Sequence, residues 1–215
     1  MTNWKKALVN SMGCIVNNTA PPAGDHQYLL IRRKKTPWFW RKEDVVDLQK
    51  KFIDFGLINE NRPSDSMHIG FVDRKTNLRV LNIKNITNLA RSKYPEAVVT
   101  LVNMEDLTVT QQIAWWSQQN IVVAAHGAAL TNVIFLRNNS AIVEIFPAHY
   151  CPKRYFGALC KITGVRNYNY ESNCTTTPEH AQARGHLRAL NLDPPIDEIM
   201  SLVSKAVTGL NFSQL

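Results

Sequence analysis

A chain of 215 residues, 45% hydrophobic and 20% charged, is long enough to bury a core without staples and too apolar to stay unfolded. Its formal charge of +8, from 25 Lys+Arg against 17 Asp+Glu, favours anionic partners: phosphates, nucleotides, nucleic acid or a membrane surface. No apolar run approaches the ~20 residues that span a bilayer, Asn10 and Ser11 break the apolar part of a would-be signal peptide, and four cysteines with no Cys-x-x-Cys speak against a disulfide scaffold, a zinc ribbon or a thioredoxin-type site.

In chain order, the first 64 residues are mixed. They hold Pro21-Pro22, the basic run Arg32-Arg33-Lys34-Lys35 and the aromatic group Trp38-Phe39-Trp40. Within them, apolar residues at Val45, Val46, Leu48, Phe52, Ile53 and Phe55 predict an amphipathic helix over Glu43–Phe55, ended by Gly56. The polar stretch Asn59–Ser66 reads as a loop. From residue 65 a regular alternation begins. Strands are predicted at His68–Val72, Val98–Val102, Ile121–Ala125, Ala141–Phe146 and Arg166–Tyr170. Helices are predicted at Asn82–Lys93, Val109–Gln119 (opened by Thr108 or Thr110), Ala128–Leu136, Tyr150–Thr163, and from Pro194/Pro195 to about Thr208. Alternating strands and helices imply βαβ units. The expected fold is therefore α/β, a Rossmann-like parallel sheet with helices on both faces over residues 65–215, preceded by a partial lobe or linker over residues 1–64.

Three segments carry chemistry. In Ile121-Val-Val-Ala-Ala-His126-Gly127-Ala128-Ala129-Leu130-Thr131-Asn132 a buried strand runs into His-Gly-Ala and then a helix. The first N–H groups of such a helix are unpaired and its dipole end is positive, which makes an anion site. Gly127 lets a ligand approach the backbone. A tight turn with a structural histidine is the plainer reading of the same residues. In the segment from Ile69 to Asn82, Arg74 and Arg79 flank a strand end, and a guanidinium fork suits phosphate; a solvated basic loop is the alternative. In Ala141-Ile-Val-Glu144-Ile-Phe-Pro147, an acidic residue sits inside an apolar strand. A buried charge needs a partner, so Glu144 requires an arginine or the hydroxyls of a ribose or sugar.

Taken together, these segments resemble the family-61 glycosyltransferases. Arg74, Arg79-Val-Leu-Asn82, Gln111-Gln112-Ile113, His126-Gly-Ala-Ala-Leu-Thr-Asn132 and Val143-Glu-Ile-Phe-Pro147 follow that family's order, and the resemblance covers roughly residues 65 to 172. Ala129 replaces the family's usual Gly, and Gln111 its usual Glu; residues 1 to 40 match nothing that can be placed. The resemblance implies an inverting glycosyltransferase of the two-lobed GT-B type, this chain being similar to the carboxyl-terminal, donor-binding lobe. The donor would be a UDP-sugar carrying xylose, arabinose or N-acetylglucosamine, and the acceptor a glycan or glycoprotein hydroxyl. No cofactor or metal is expected, in keeping with the absence of any Asp-x-Asp. By position, Arg74 and Arg79 would clamp the diphosphate. His126 would hold phosphate or sugar with the amides of Gly127 and Ala128. Thr131 and Asn132 would add hydrogen bonds or cap the fold, and Glu144 would bind ribose. Glu105 and Gln112 are weaker candidates for the nucleobase side. The catalytic base is unassigned, with His126 the weak candidate; His149 reads as a loop residue.

Asn-x-Ser/Thr occurs at Asn17, Asn85, Asn138, Asn173 and Asn211, which tilts towards a secretory lumen. The resemblance points the same way, to the Golgi or endoplasmic reticulum, with any membrane attachment through an anchor that this chain does not carry. In such a compartment one pair among Cys151, Cys160 and Cys174 could form a disulfide; three small buried side chains is the equally plain alternative. Of Trp115 and Trp116, within a predicted helix, at least one is expected in the core. Two other readings stand beside the enzyme: a nucleotide-sugar- or polyanion-binding module without catalysis, and a basic nucleic-acid binder. The latter has net charge behind it but no recognition motif, so no nucleic-acid partner is expected.

Overall fold

The computed structural model describes residues 42–59 and 66–210, apart from 78, 176, 178, 180–182 and 188. The basic run, the Trp38–Trp40 group and the patterns at Asn17 and Asn211 lie outside the described residues.

Five strands, β1 (His68–Asp73), β2 (Val98–Asn103), β3 (Ile121–Ala125), β4 (Ala141–Ile145) and β5 (Arg166–Tyr170), form one sheet in the order β2-β1-β3-β4-β5. Every pairing is parallel. All five strands therefore end on one edge. β3 and β4 are buried at every residue, because helices cover both faces. Ile69, Phe71, Ile121, Val123, Val143 and Ile145 pack under α2 (Ile83–Lys93) and α6 (Ile196–Gly209). Val72, Val122, Ala124 and Ile142 pack on the other face, with α1 (Lys42–Asp54), α3 (Val109–Gln118), a 3-10 helix (Ala128–Phe135) and α4 (Arg154–Thr163). A single turn, α5 (Arg184–Leu187), precedes α6.

Local chemistry explains most boundaries. Thr108 opens α3 as its N-cap, accepting from the Gln111 amide while the Gln111 side chain accepts from the Thr108 amide. This capping box needs Glu or Gln at its fourth position, so Gln111 serves where a Glu would. Trp116 is fully buried, and its neighbour Trp115 lies against Gly70 of β1: a Cβ there would come within 2.5 Å of the Trp115 ring. Gly56 takes φ +68° just past α1, the left-handed conformation that ends a helix.

Of the expected helices, one is present in the tighter 3-10 form and one begins later than expected. Residues 128–135 form a 3-10 helix, opened by the Leu130 amide bonding the Gly127 carbonyl. At ~2.0 Å per residue this tighter helix carries eight residues about as far as a five-residue strand is long. It thus recrosses the sheet between β3 and β4 in few residues. The helix expected from Tyr150 starts only at Arg154, because the preceding residues are tied down as a loop: His149 has φ +61° and Cys151 is bonded to Cys174.

Helix α1 lies before the expected boundary at residue 64, yet it packs on the 3-10 helix and α4. Phe52 meets Phe135 edge-to-face at 5.1 Å, and Gln49 Nε2 donates to the carbonyls of Ile134 and Leu136. Those carbonyls are orphans at a helix end, and Gln49 satisfies them.

Candidate donor-binding site

The sheet order puts β1 between β2 and β3, and the connections leaving β1 and β3 take opposite faces: α2 with α6, the 3-10 helix with α3 and α4. At such a reversal a crevice opens at the carboxyl ends of the two strands, where open α/β sheets bind ligands. Arg74 follows β1, and His126 with Gly127 follows β3. The two segments meet there: a Cβ built on Gly127 would stand 2.7 Å from an Arg74 guanidinium nitrogen. The close approach expected of a ligand at Gly127 is thus made by Arg74. Gly127 has extended backbone (φ 164°), so its missing side chain serves the guanidinium, not backbone strain. The first 3-10 bond runs from Leu130, so the amides of Ala128 and Ala129 have no partner within the helix. One guanidinium and a helix start therefore meet at the same edge of the sheet.

His126 lies behind this edge and is 5% exposed. Its Nδ1 is 2.6 Å from Oε1 of Glu144, which is fully buried. Asn167 Nδ2 donates to the other oxygen of Glu144 at 3.3 Å. The partner that the sequence demanded for Glu144 is therefore His126, and Asn167 with it. With both oxygens engaged and no exposed surface, Glu144 offers no edge to a ribose. Around the imidazole stand Phe146, Tyr150, Tyr155 and Phe156, with ring centroids 5.2–6.0 Å away. Burial, and then the negative charge of Glu144, push the neighbouring Cys160 thiol far above its usual range, so it stays neutral.

Other expected residues fall around this centre. The backbone of Arg79 bonds Asn191 and Leu192, while its Nε is buried without a partner among the described residues. A buried donor lacking an acceptor is what an anion would satisfy. Gln112 is committed to the fold: its amide nitrogen holds the carbonyls of Met104 and Leu107, and its oxygen accepts from Asn132 at 3.3 Å. It leaves little for a nucleobase. Thr131 and Asn132 are half-buried within the 3-10 helix, and Glu105 is exposed in the turn after β2.

A further wall comes from the cysteines, whose pairing the sequence leaves open. The disulfide Cys151–Cys174 ties the loop after β4 to the loop after β5. His149 reinforces it, donating its amide to the Asn173 carbonyl at 2.6 Å, with Nδ1 2.8 Å from the Thr175 carbonyl. This clamp carries Tyr150 against His126. Tyr150 and Tyr155 fell inside the expected helix, so nothing singled them out. The alternation Asn167-Tyr168-Asn169-Tyr170 was the available signal that one face of β5 is polar. Among the described residues no helix is long and apolar enough to cross a membrane.

The sequence pattern of the family described as glycosyltransferase 61 matches residues 17–143. The match thus begins inside the first forty residues, which carry none of the motifs noted above. The chain is also 28% identical, over 151 residues, to the EGF domain-specific O-linked N-acetylglucosamine transferase of Drosophila melanogaster. That alignment covers 67% of this chain and 28% of the relative, so the chain spans well under a third of the relative's length.

Proposed function

The chain belongs to the glycosyltransferase 61 family, and from that premise we propose that it binds a UDP-sugar and serves an inverting, metal-independent transfer to a glycan or glycoprotein hydroxyl. Of the sugars that the motifs allow, N-acetylglucosamine is favoured, because the relative is named for transferring it. The same name makes an EGF domain the acceptor to test first. The disulfide between Cys151 and Cys174 supports a lumenal, oxidising compartment.

One observation carries this reading: Arg74 lies over Gly127 at the sheet's reversal point, beside helix-start amides that have no partner within the helix. In the transfer, the acceptor oxygen gives up its proton and attacks the anomeric carbon. The bond from that carbon to the diphosphate breaks, and UDP leaves with the added negative charge. Arg74 and the amides of Ala128 and Ala129 would stabilise that charge, with Arg79 Nε a further donor. Inversion requires the nucleophile opposite the leaving group. His126, next to the Arg74 site, would therefore serve the diphosphate, and the base for the acceptor would stand elsewhere.

Titration calorimetry with UDP and UDP-N-acetylglucosamine tests the reading. Binding that survives EDTA is expected, as is loss of about tenfold or more in Arg74→Ala, the scale of one charged hydrogen bond. Failure of the wild-type chain to bind any UDP-sugar would sink it. UDP binding without release of UDP in the presence of an EGF domain would leave the chain a nucleotide-sugar-binding module.

A further inference from the structure

We propose that Glu144 is a positioning residue: anchored by Asn167, it holds the proton of His126 on Nδ1 and leaves Nε2 as the nitrogen that faces the donor's diphosphate. The part about the diphosphate rests on the function proposed above; the part about the ring does not.

Glu144 is placed for this and for little else. Its register partner on β3 is Ala124, two residues before His126, so its carboxyl lies beside the imidazole. The strand pairing is locked on either side of the pair: the His126 amide bonds the Ile145 carbonyl. The carboxyl has no exposed surface, and its two oxygens divide between His126 Nδ1 and Asn167 Nδ2. Gly157 of α4 packs close by: a Cβ built there would stand 3.4 Å from Asn167 Nδ2, an ordinary contact. An ionised carboxylate only accepts hydrogen bonds, so the shared proton belongs to the imidazole. The aromatic rings of Phe146, Tyr150, Tyr155 and Phe156 pack around the imidazole. Nε2 has no hydrogen bond among the described residues. A carboxylate that acts through a histidine in this way fixes tautomer and orientation without touching the substrate.

The test uses the full chain labelled with 15N-histidine, whose six histidines give one set of ring signals each. The signals missing from His126→Gln identify His126. In the ligand-free protein, Nδ1 is expected to carry a proton protected from solvent exchange. That protection should disappear in Glu144→Leu and persist in Glu144→Gln, whose amide oxygen still accepts. Added UDP should shift Nε2 and leave Nδ1 in place. In calorimetry, Glu144→Leu should weaken UDP by on the order of tenfold, the scale for a residue acting through its neighbour. The same change made in His126→Gln should weaken it no further. Should Glu144→Leu lose its cooperative melt, Asn167→Leu makes the same comparison.

An unprotonated or freely exchanging Nδ1 in the wild-type chain would overturn the proposal. So would an equal loss of affinity from Glu144→Leu with and without His126. If the chain binds no UDP, the functional reading falls, and the ring signals still decide the role of Glu144.

Discussion

The residue that best shows how this edge works is Gly127. Its backbone is extended, a conformation open to any amino acid, and the space a side chain would fill holds the Arg74 guanidinium. Gly127→Ala is expected to push that flexible guanidinium aside at little cost to the fold. UDP affinity should fall by about tenfold, one charge-assisted contact, while the melting temperature stays near that of the wild type. A large drop in stability would mean that the glycine serves the backbone instead. Glu144 is the opposite case. The sequence shows that it needs a partner, since a lone buried charge is costly. It does not show which, because His126 is 18 residues away and the contact depends on strand register.

Among the elements, α3 is the most legible. Thr108, one of the two openers the sequence offers, starts it, and its side chain and that of Gln111 exchange bonds with each other's amides. Thr108→Ala should cost about 1 kcal/mol, the usual loss at an N-cap, read as a shift in the urea midpoint at constant slope; no shift would mean that α3 is held by packing alone. The two helices whose details the sequence leaves open, the type of one and the start of the other, are these. The 3-10 helix at Ala128–Phe135 has a helical apolar pattern, with Leu130, Val133, Ile134 and Phe135 all buried. Tyr150–Lys153 has helix-compatible residues, but the bond from Cys151 to Cys174 and the backbone bond from His149 to Asn173 hold it as a loop.

For the molecule as a whole, the disulfide is the one covalent tie between the ends of β4 and β5. It closes a separation of 23 residues, worth about 3 kcal/mol in the loop-closure picture. The double variant Cys151→Ser/Cys174→Ser should therefore melt earlier. It should also loosen Tyr150 from His126 and weaken UDP binding beyond what stability accounts for. Unchanged affinity at a temperature where the variant is fully folded would show the clamp to be structural only.

The alternation of β-branched runs with amphipathic stretches was enough to place all five strands and the long helices, because burial on two faces writes itself locally into each strand. The motifs at Arg74, His126 and Glu144 marked the stretches that converge. Only the tertiary structure decided the strand order, and with it that Arg74 reaches Gly127. It also showed that Glu144 turns inward to His126, and that Cys151 pairs with Cys174 while Cys160 stays buried as a thiol. The physical reason is common to all of these. Each is a contact between residues distant in the chain, made by register and crossover, and neither leaves a period in the sequence.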